Sequence, residues 1–530
     1  VAARGRVGTR KHASNRVADA ERRACEAYAN VLSRNVHALT EEVALAGLEH
    51  WRRASGWAEN DLEFTDGQLA LFLQMTTGRN AVSTVVGAAG SGKTTAIDAA
   101  RFVLAARGQR VYGVCVAAVA AQALRDTARV QAGTVTWLTM RINFARDPID
   151  PIRVEMESLA RSPHPRDRSR AQRIRSRFRL PQMDHLVIDE ASMIPATDMA
   201  TVLEWAADNA ITVTLIGDHR QLRPVGPSGL FRQFHESRPG AELVENLRQR
   251  TDVGRECAAF LRDGDPEQAL HKLAEAGQLI VVASQTEAEY VLVSAWAERA
   301  AATADPLDRL HATGLESDRN DQVEVLNTLA RAEARVRGWL TGADVIFRDR
   351  GRSRILAVGD QIIITRNIPR GTDRTLANGT RAVVTAIDDT GIAIAYRDNG
   401  QDRASRMTAV QAVRHARHGY AMTTHKLQGQ TVDSLVIDIG PDRDMSSAYV
   451  ALTRHRDDVL AVVNIADIAD GDQAAALMAA GPDARRDAVI AMTAERMAER
   501  GFTEQPTAHA ALRRPLPLSI RPDHGLGVAG

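Results

Sequence analysis

The chain has 530 residues, 44% of them hydrophobic and 25% charged, which is ordinary for a soluble globular protein and too long for a single core. A net charge of +1 gives no support by itself to a nucleic-acid partner, and no apolar run reaches the length of a membrane span. Three scattered cysteines, Cys25, Cys115 and Cys257, offer neither paired metal spacing nor an even disulfide framework, so a reducing cytoplasmic setting is expected.

Residues 1–60 carry apolar positions at helical spacing, most clearly in ADAERRACEAYANVLSR, and are read as a helical lead-in. The chain opens on Val1, with no secretory signal expected there; an unusual start codon and a piece of a longer product both stay open. From 61 to 245, short apolar runs alternate with helical patterns: 82–86, VYGVCV at 111–116, HLVIDE at 185–190 and VTLIGD at 213–218. That alternation predicts a parallel sheet with crossover helices. An arginine-rich insertion at about 142–180 interrupts it; within it, 161–179 carries eight arginines against one aspartate and reads as helical or irregular. A second set of runs, QLIVVA at 278–283, RLHAT at 309–313, SLVIDI at 434–439 and VLAVVN at 459–464, predicts a second α/β domain over 246–354 and 414–466. Between its two parts, residues 355–413 alternate strongly and carry Asn-Gly dipeptides, the pattern of a small antiparallel β insertion. Residues 467–530 read as helical to about 501, then proline-rich and peripheral.

GAAGSGKT, between the strand-forming STVV and the helix-forming TTAIDAARFVLAA, satisfies the phosphate-loop pattern. The expected nucleotide-binding residues are Gly87, Ala88, Ala89, Gly90, Ser91, Gly92, Lys93, Thr94 and Thr95. Glycines let backbone N–H groups turn onto phosphates at a helix N-terminus, Lys93 reaches the β/γ oxygens, and Thr94 offers a hydroxyl to Mg²⁺. Only four of the 67 basic residues are lysine, at 11, 93, 272 and 426, so a retained lysine marks a place that arginine does not fill. HLVIDEAS ends a buried strand in Asp189, a second candidate ligand for Mg²⁺, and Glu190, a candidate base for the attacking water. LIGDHRQL ends a third strand and places Gln221 to sense the γ-phosphate.

The ordered set GAAGSGKT, DEAS, GDHRQL, ENLRQR, TTHKLQGQT and YVALTRHR resembles superfamily 1 DNA helicases of the RecD-like branch. It looks most like the helicase portion of TraA/TraI-type conjugative relaxase-helicases. The resemblance implies an α/β fold of two RecA-like P-loop domains in tandem, with an SH3-like β insertion in the second. It implies Gln68 of FTDGQ at the adenine, and Arg248 of ENLRQR and Arg454 of YVALTRHR at the ATP phosphates. In TTHKLQGQT it makes Thr424, His425 and Lys426 candidates for DNA-backbone contact or for holding that loop, and sets Gln428 and Gly429 nearer the nucleotide.

The implied activity is ATP hydrolysis with Mg²⁺, driving 5′→3′ movement on single-stranded DNA and unwinding at duplex junctions, in conjugative transfer. A stand-alone repair helicase, and a DNA-dependent ATPase switch that never unwinds, are the alternatives. An upstream relaxase domain or the conjugation machinery are the partners implied. The chain's own 15 histidines form no three-histidine cluster of the kind a relaxase uses to nick DNA. Two segments depart from the pattern: AAVAAQAL replaces a Pro-Thr-Gly-x-Ala turn, and the arginine-rich stretch stands where relatives carry a short strand-separating hairpin.

Overall fold

The computed structural model describes residues 15–502 apart from 35, 37, 61, 89, 223–229, 371–373 and 399, so Ala89, Lys11 and the proline-rich end fall outside the described residues. Two parallel sheets dominate it. The first has the strand order Gln131–Thr134, Val111–Cys115, His185–Ile188, Thr212–Gly217, Val82–Gly87, Glu242–Leu243. Every pairing in it is parallel. The side chains alternate between two apolar layers: Leu186 and Ile188 pack into one with Val114 and Leu215, and Val187 into the other with Val85 and Ile216. Both faces are therefore covered by helices, which is why these strands read as continuous apolar runs.

The second sheet, in the order Ala421–Met422, Thr313–Ser317, Val432–Ile439, His455–Asn464, Leu279–Val282, is built the same way. Leu435 and Ile437 face one layer, and Val436 and Val462 the other. The expected strand RLHAT is displaced. Pro306–Ala312 is helical, because Asp305 caps it by accepting from the N–H groups of Leu307 and Asp308 and Pro306 occupies the first turn. The strand is the next segment, Thr313–Ser317, fully buried despite its polar residues.

The antiparallel part of the second half is wider than the expected 355–413. It begins in the hairpin Thr341–Asp349/Arg352–Val358 and continues into a five-stranded sheet, Gln401–Thr408, Gly391–Asp398, Arg381–Asp388, Gln361–Ile364, Ala416–His418, around its own apolar core.

Both flanking regions are structural. The helix Asn15–Leu32 packs Ala24, Tyr28 and Val31 into the first core, where Tyr28 stacks on Phe234 at 4.1 Å. At the other end, Pro482–Arg500 buries Val489, Ile490, Ala494 and Met497 in the second core, so this part of the chain is not the peripheral tail expected. No helix among the described residues is long and apolar enough to cross a membrane.

The arginine-rich insertion is a helical hairpin, Pro151–Arg161 and Pro165–Arg177, in place of a β-hairpin. A small cluster of Phe144, Met156, Ala171 and Phe178, separate from the two main cores, holds it together.

Candidate functional site

In an open parallel sheet, ligands bind beyond the carboxyl ends of the strands where the strand order reverses. Val82–Gly87 and Val111–Cys115 are consecutive in the chain yet separated by two other strands, so the crevice opens beside Gly87. Gly90 and Gly92 take the left-handed conformation, at φ +79° and +74°, and the helix Lys93–Ala105 starts directly after them. The Lys93 amine donates to the carbonyls of Gly87 (3.0 Å) and Ala88 (2.9 Å), and the Ser91 hydroxyl donates to the same Ala88 oxygen. Burial lowers the Lys93 pKa, opposed by the charges of Asp189 and Asp218.

Gln68 is buried and bound at both ends. Its Oε1 accepts from the Thr65 N–H in a capping box, and its Nε2 donates to the Gly92 carbonyl at 3.2 Å. It braces the loop directly.

Asp189 and Glu190 follow the strand His185–Ile188. Asp189 Oδ1 accepts from the Glu190 N–H at 2.9 Å. Glu190 is held at φ +57°, a region uncommon for a residue with a side chain and one in which strain gathers at functional sites. Burial, and then the Asp189 charge, push its carboxyl up to about 7, against the pull of Arg454, Lys93 and a backbone hydrogen bond from Ala117. That last contact gives the unusual AAVAAQAL turn a role. Thr94 and Asp189 bring a hydroxyl and a carboxylate oxygen, a hard donor set that fits Mg²⁺ with phosphate oxygens completing its shell.

Asp218 of GDHRQL, directly after the strand Thr212–Gly217, is buried and accepts from the Gln221 side chain (3.1 Å) and from the Arg220 N–H (3.0 Å). Gln221 in turn accepts from Gln428 Nε2 at 3.4 Å, a contact between the two halves of the chain, and the same amide lies 2.8 Å from Met193 Sδ. Beside Gln428, a Cβ placed on Gly429 would lie 3.9 Å from the Glu190 carboxylate.

The arginines complete the enclosure. Arg248 Nη1 donates to the Thr453 carbonyl at 2.7 Å, and the next residue, Gln249, donates to the carbonyls of Thr453 and His455. Arg454, 3% exposed, donates from Nε to the Val450 carbonyl, and its buried Nη2 has no hydrogen-bond partner among the described residues. Burial, and then the Arg454 charge, push the Arg248 guanidinium down to about 9; Arg454 is lowered by burial and supported mainly by Glu190. Lys93, Arg248 and Arg454 thus concentrate cationic charge where the two halves meet.

TTHKLQGQT divides. The Thr424 hydroxyl is buried and donates to Glu316, so this residue holds the loop and is withdrawn from any DNA surface. His425 and Lys426 are exposed. Glu316 is fully buried on the strand Thr313–Ser317, its carboxyl raised to about 7 by burial against the opposing pull of Arg443, 2.8 Å away and equally buried. Arg443→Ala leaves that carboxylate uncompensated and is expected to cost about 3–5 kcal/mol of stability, measured by denaturant unfolding. A loss under about 1 kcal/mol would show that the pair is not holding the loop.

Known proteins are similar to this chain over both of its halves. A family model described as an AAA domain matches residues 63–284, and one described as a viral superfamily 1 RNA helicase core domain matches residues 364–462. The conjugal transfer protein TraA of Agrobacterium fabrum is 29% identical over 382 residues, which is 71% of this chain and 30% of that protein. A probable conjugal transfer protein TraA of Sinorhizobium fredii is 28% identical over 426 residues, 80% of this chain and 34% of that one. The chain therefore spans about a third of the length of the curated relatives it matches. Among solved structures, a Bacteroides Pif1 helicase in complex with ADP-AlF3 and single-stranded DNA aligns over 77% of this chain and 94% of its own. The identity is 17% and the TM-score 0.44. Pif1 helicase from Candida albicans aligns over 79% and 99%, at 17% identity and a TM-score of 0.44.

Proposed function

We propose that this superfamily 1 helicase, similar over most of its length to the helicase portion of TraA proteins, hydrolyses ATP to move 5′→3′ along single-stranded DNA and opens duplex ahead of it during conjugative transfer. The observation that carries the reading is the convergence of Arg454 and Arg248 with Lys93, Glu190 and Asp218 where the two sheets meet. A phosphoryl group held there is in contact with both halves, so its charge draws them together and its loss releases them.

The loop 87–95 and Gln68 hold the nucleotide, with Gly429 closing on it from the second half. Thr94 and Asp189 would hold Mg²⁺, which when bound neutralises charge on the β and γ oxygens. Glu190 takes the proton of the attacking water, and Gln221, oriented by Asp218, orients that water against the γ-phosphate. The hydrogen bond from Gln428 to Gln221 carries that event to the segment 423–430, whose exposed His425 and Lys426 meet the DNA backbone. The antiparallel sheet of the second half is read as the SH3-like insertion that packs over the strand. Only 4% of residues are aromatic, so phosphate contacts dominate and binding weakens steeply with salt.

The test is ATP turnover with and without single-stranded DNA, together with strand displacement on duplexes carrying a 5′ or a 3′ tail. Displacement from the 5′-tailed substrate is expected, and Lys93→Ala should abolish turnover and displacement together. Displacement surviving in Lys93→Ala would overturn the mechanism, a preference for the 3′ tail would overturn the polarity, and turnover without displacement would make the protein a switch. A nickase domain encoded in frame upstream would tie the chain to conjugation.

A further inference from the structure

The outer helix of the insertion hairpin, Pro165–Arg177, presents an arrangement that neither the nucleotide site nor the segment 423–430 uses. Its inward face is set by Ala171, Ile174 and the following Phe178, which pack on Met156 and Phe144. At about 100° per residue, Arg166, Arg170, Arg173 and Arg177 fall into one stripe on the flank of that face. Arg168, Arg175 and the trailing Arg179 fall into a second stripe on the other flank. The strip between them is Ser169, Gln172 and Ser176, all exposed, with Gln172 and Ser176 also bordering the cleft lined by Phe144, Met156 and Phe178.

The charge is mostly uncompensated. The companion helix Pro151–Arg161 spends its acids locally: Glu155 pairs with Arg170, and Glu157 with Arg153 and Arg161. Arg166, Arg173, Arg175, Arg177 and Arg179 are exposed and form no ion pair among the described residues. Seven guanidinium groups on about 20 Å of helix repel one another and favour a polyanion.

The geometry narrows which polyanion. A single strand would engage one line of cations; here two lines lie on opposite flanks with a strip of small hydrogen-bonding side chains between them. The major groove of B-DNA is about 12 Å wide and admits an α-helix, with phosphates along both walls and base edges on its floor. We infer that the helix Pro165–Arg177 is a duplex-docking element that lies in the major groove, its two arginine stripes on the phosphates of the two walls and Ser169, Gln172 and Ser176 toward the base edges. Ser169 and Ser176 offer single hydroxyls that accept either base pair, and of the three only the Gln172 amide carries the paired donor and acceptor that can read a base, so base preference is confined to that one position. The helix grips duplex and leaves the tracked strand to other surfaces. The inference rests on the DNA-motor reading for its biological context, but is measured without nucleotide.

The experiment uses the full chain and compares a labelled blunt 20-base-pair duplex with a labelled single strand, by fluorescence anisotropy over a salt series. Two variants are tested: Arg166→Gln/Arg173→Gln/Arg175→Gln/Arg177→Gln together, and Ser176→Glu alone, each checked for unchanged circular dichroism and melting. In the arginine variant, duplex affinity should fall on the order of 30-fold and the slope of log affinity against log salt should decrease by about 3–4. Single-strand affinity should stay within about twofold, and single-strand-stimulated ATP turnover should be unchanged. Ser176→Glu should weaken duplex binding alone, because it sets a negative charge on the groove side. Unchanged duplex binding in both variants would overturn the assignment and make the surface one for an acidic protein. An equal loss on duplex and single strand would overturn it in favour of general polyanion attraction. A wild-type chain that binds duplex through these arginines yet never hydrolyses ATP on DNA would sink the proposed function and leave this inference standing.

Discussion

Arg454→Ala is expected to slow single-strand-stimulated ATP turnover by roughly 10³–10⁵-fold, with a far smaller loss of nucleotide affinity. The physical reason is the position of the charge. Among the described residues, Arg454 is fastened to the Val450 carbonyl by Nε, its buried Nη2 has no hydrogen-bond partner, and Glu190 is its main electrostatic support. A buried cation held in that way is costly in the ground state and is best compensated when negative charge develops on a transferring phosphoryl group. Lysine should not rescue, because a compact ammonium cannot keep the anchoring hydrogen bond and present a second donor at once. Single-turnover hydrolysis and nucleotide-binding titrations separate the two effects. If Arg454→Ala retained turnover within about tenfold of wild type, the residue would be a structural cation of the interface and no part of the chemistry.

Glu190→Gln is expected to reduce turnover by roughly 10²–10⁴-fold while ATP still binds, and the pH profile gives an independent check. Burial and the adjoining Asp189 charge raise the Glu190 carboxyl to about 7. A base must be unprotonated to accept, so wild-type turnover should climb about tenfold per pH unit on the acid side of that value and flatten above it. In the glutamine variant that limb should vanish. Stability has the opposite sign. As pH rises from the ordinary 4.5 towards 7, the unfolded chain releases its proton first, so ionising Glu190 costs the folded state. A wild-type profile flat between pH 5.5 and 8 would remove Glu190 as the base.

The parts of this protein legible in its sequence are those where chemistry and periodicity coincide. The phosphate loop, DEAS and GDHRQL each stand at the end of an apolar run, so strand, site and residue type announce one another. Glu316 and Arg443 are hidden for the converse reason. A glutamate in TGLES reads as a surface residue until the structure supplies a buried guanidinium 127 positions away and the hydroxyl of Thr424. For Thr424, His425 and Lys426 the sequence leaves DNA contact and holding of the loop both open; a short helix turns the first inward onto Glu316 and leaves the other two outside. The contact of Gln221 with Gln428 spans 207 positions and has no local signature at all. The displaced strand near 313 is a different kind of miss, in which a strong capping signal at Asp305-Pro306 outweighed a weak apolar run.

The short segment 246–249 touches both halves of the protein within four residues. On one side the Leu247 N–H donates to the Gly90 carbonyl at 2.9 Å, and the Arg248 Cβ lies so close to Gly90 that a methyl group there would come within 2.4 Å of it. On the other, Arg248 and Gln249 are bound to the carbonyls of Thr453 and His455. In mechanical terms this is a short linkage, anchored on the phosphate loop at one end and on the second half at the other. On the motor reading proposed above, a displacement of the second half is expected to reach the phosphate loop across these few residues, and a deformation of the loop to act back on the second half. If the proposed motor reading holds, a substitution that loosened this one joint is expected to let nucleotide turnover continue while strand displacement is lost.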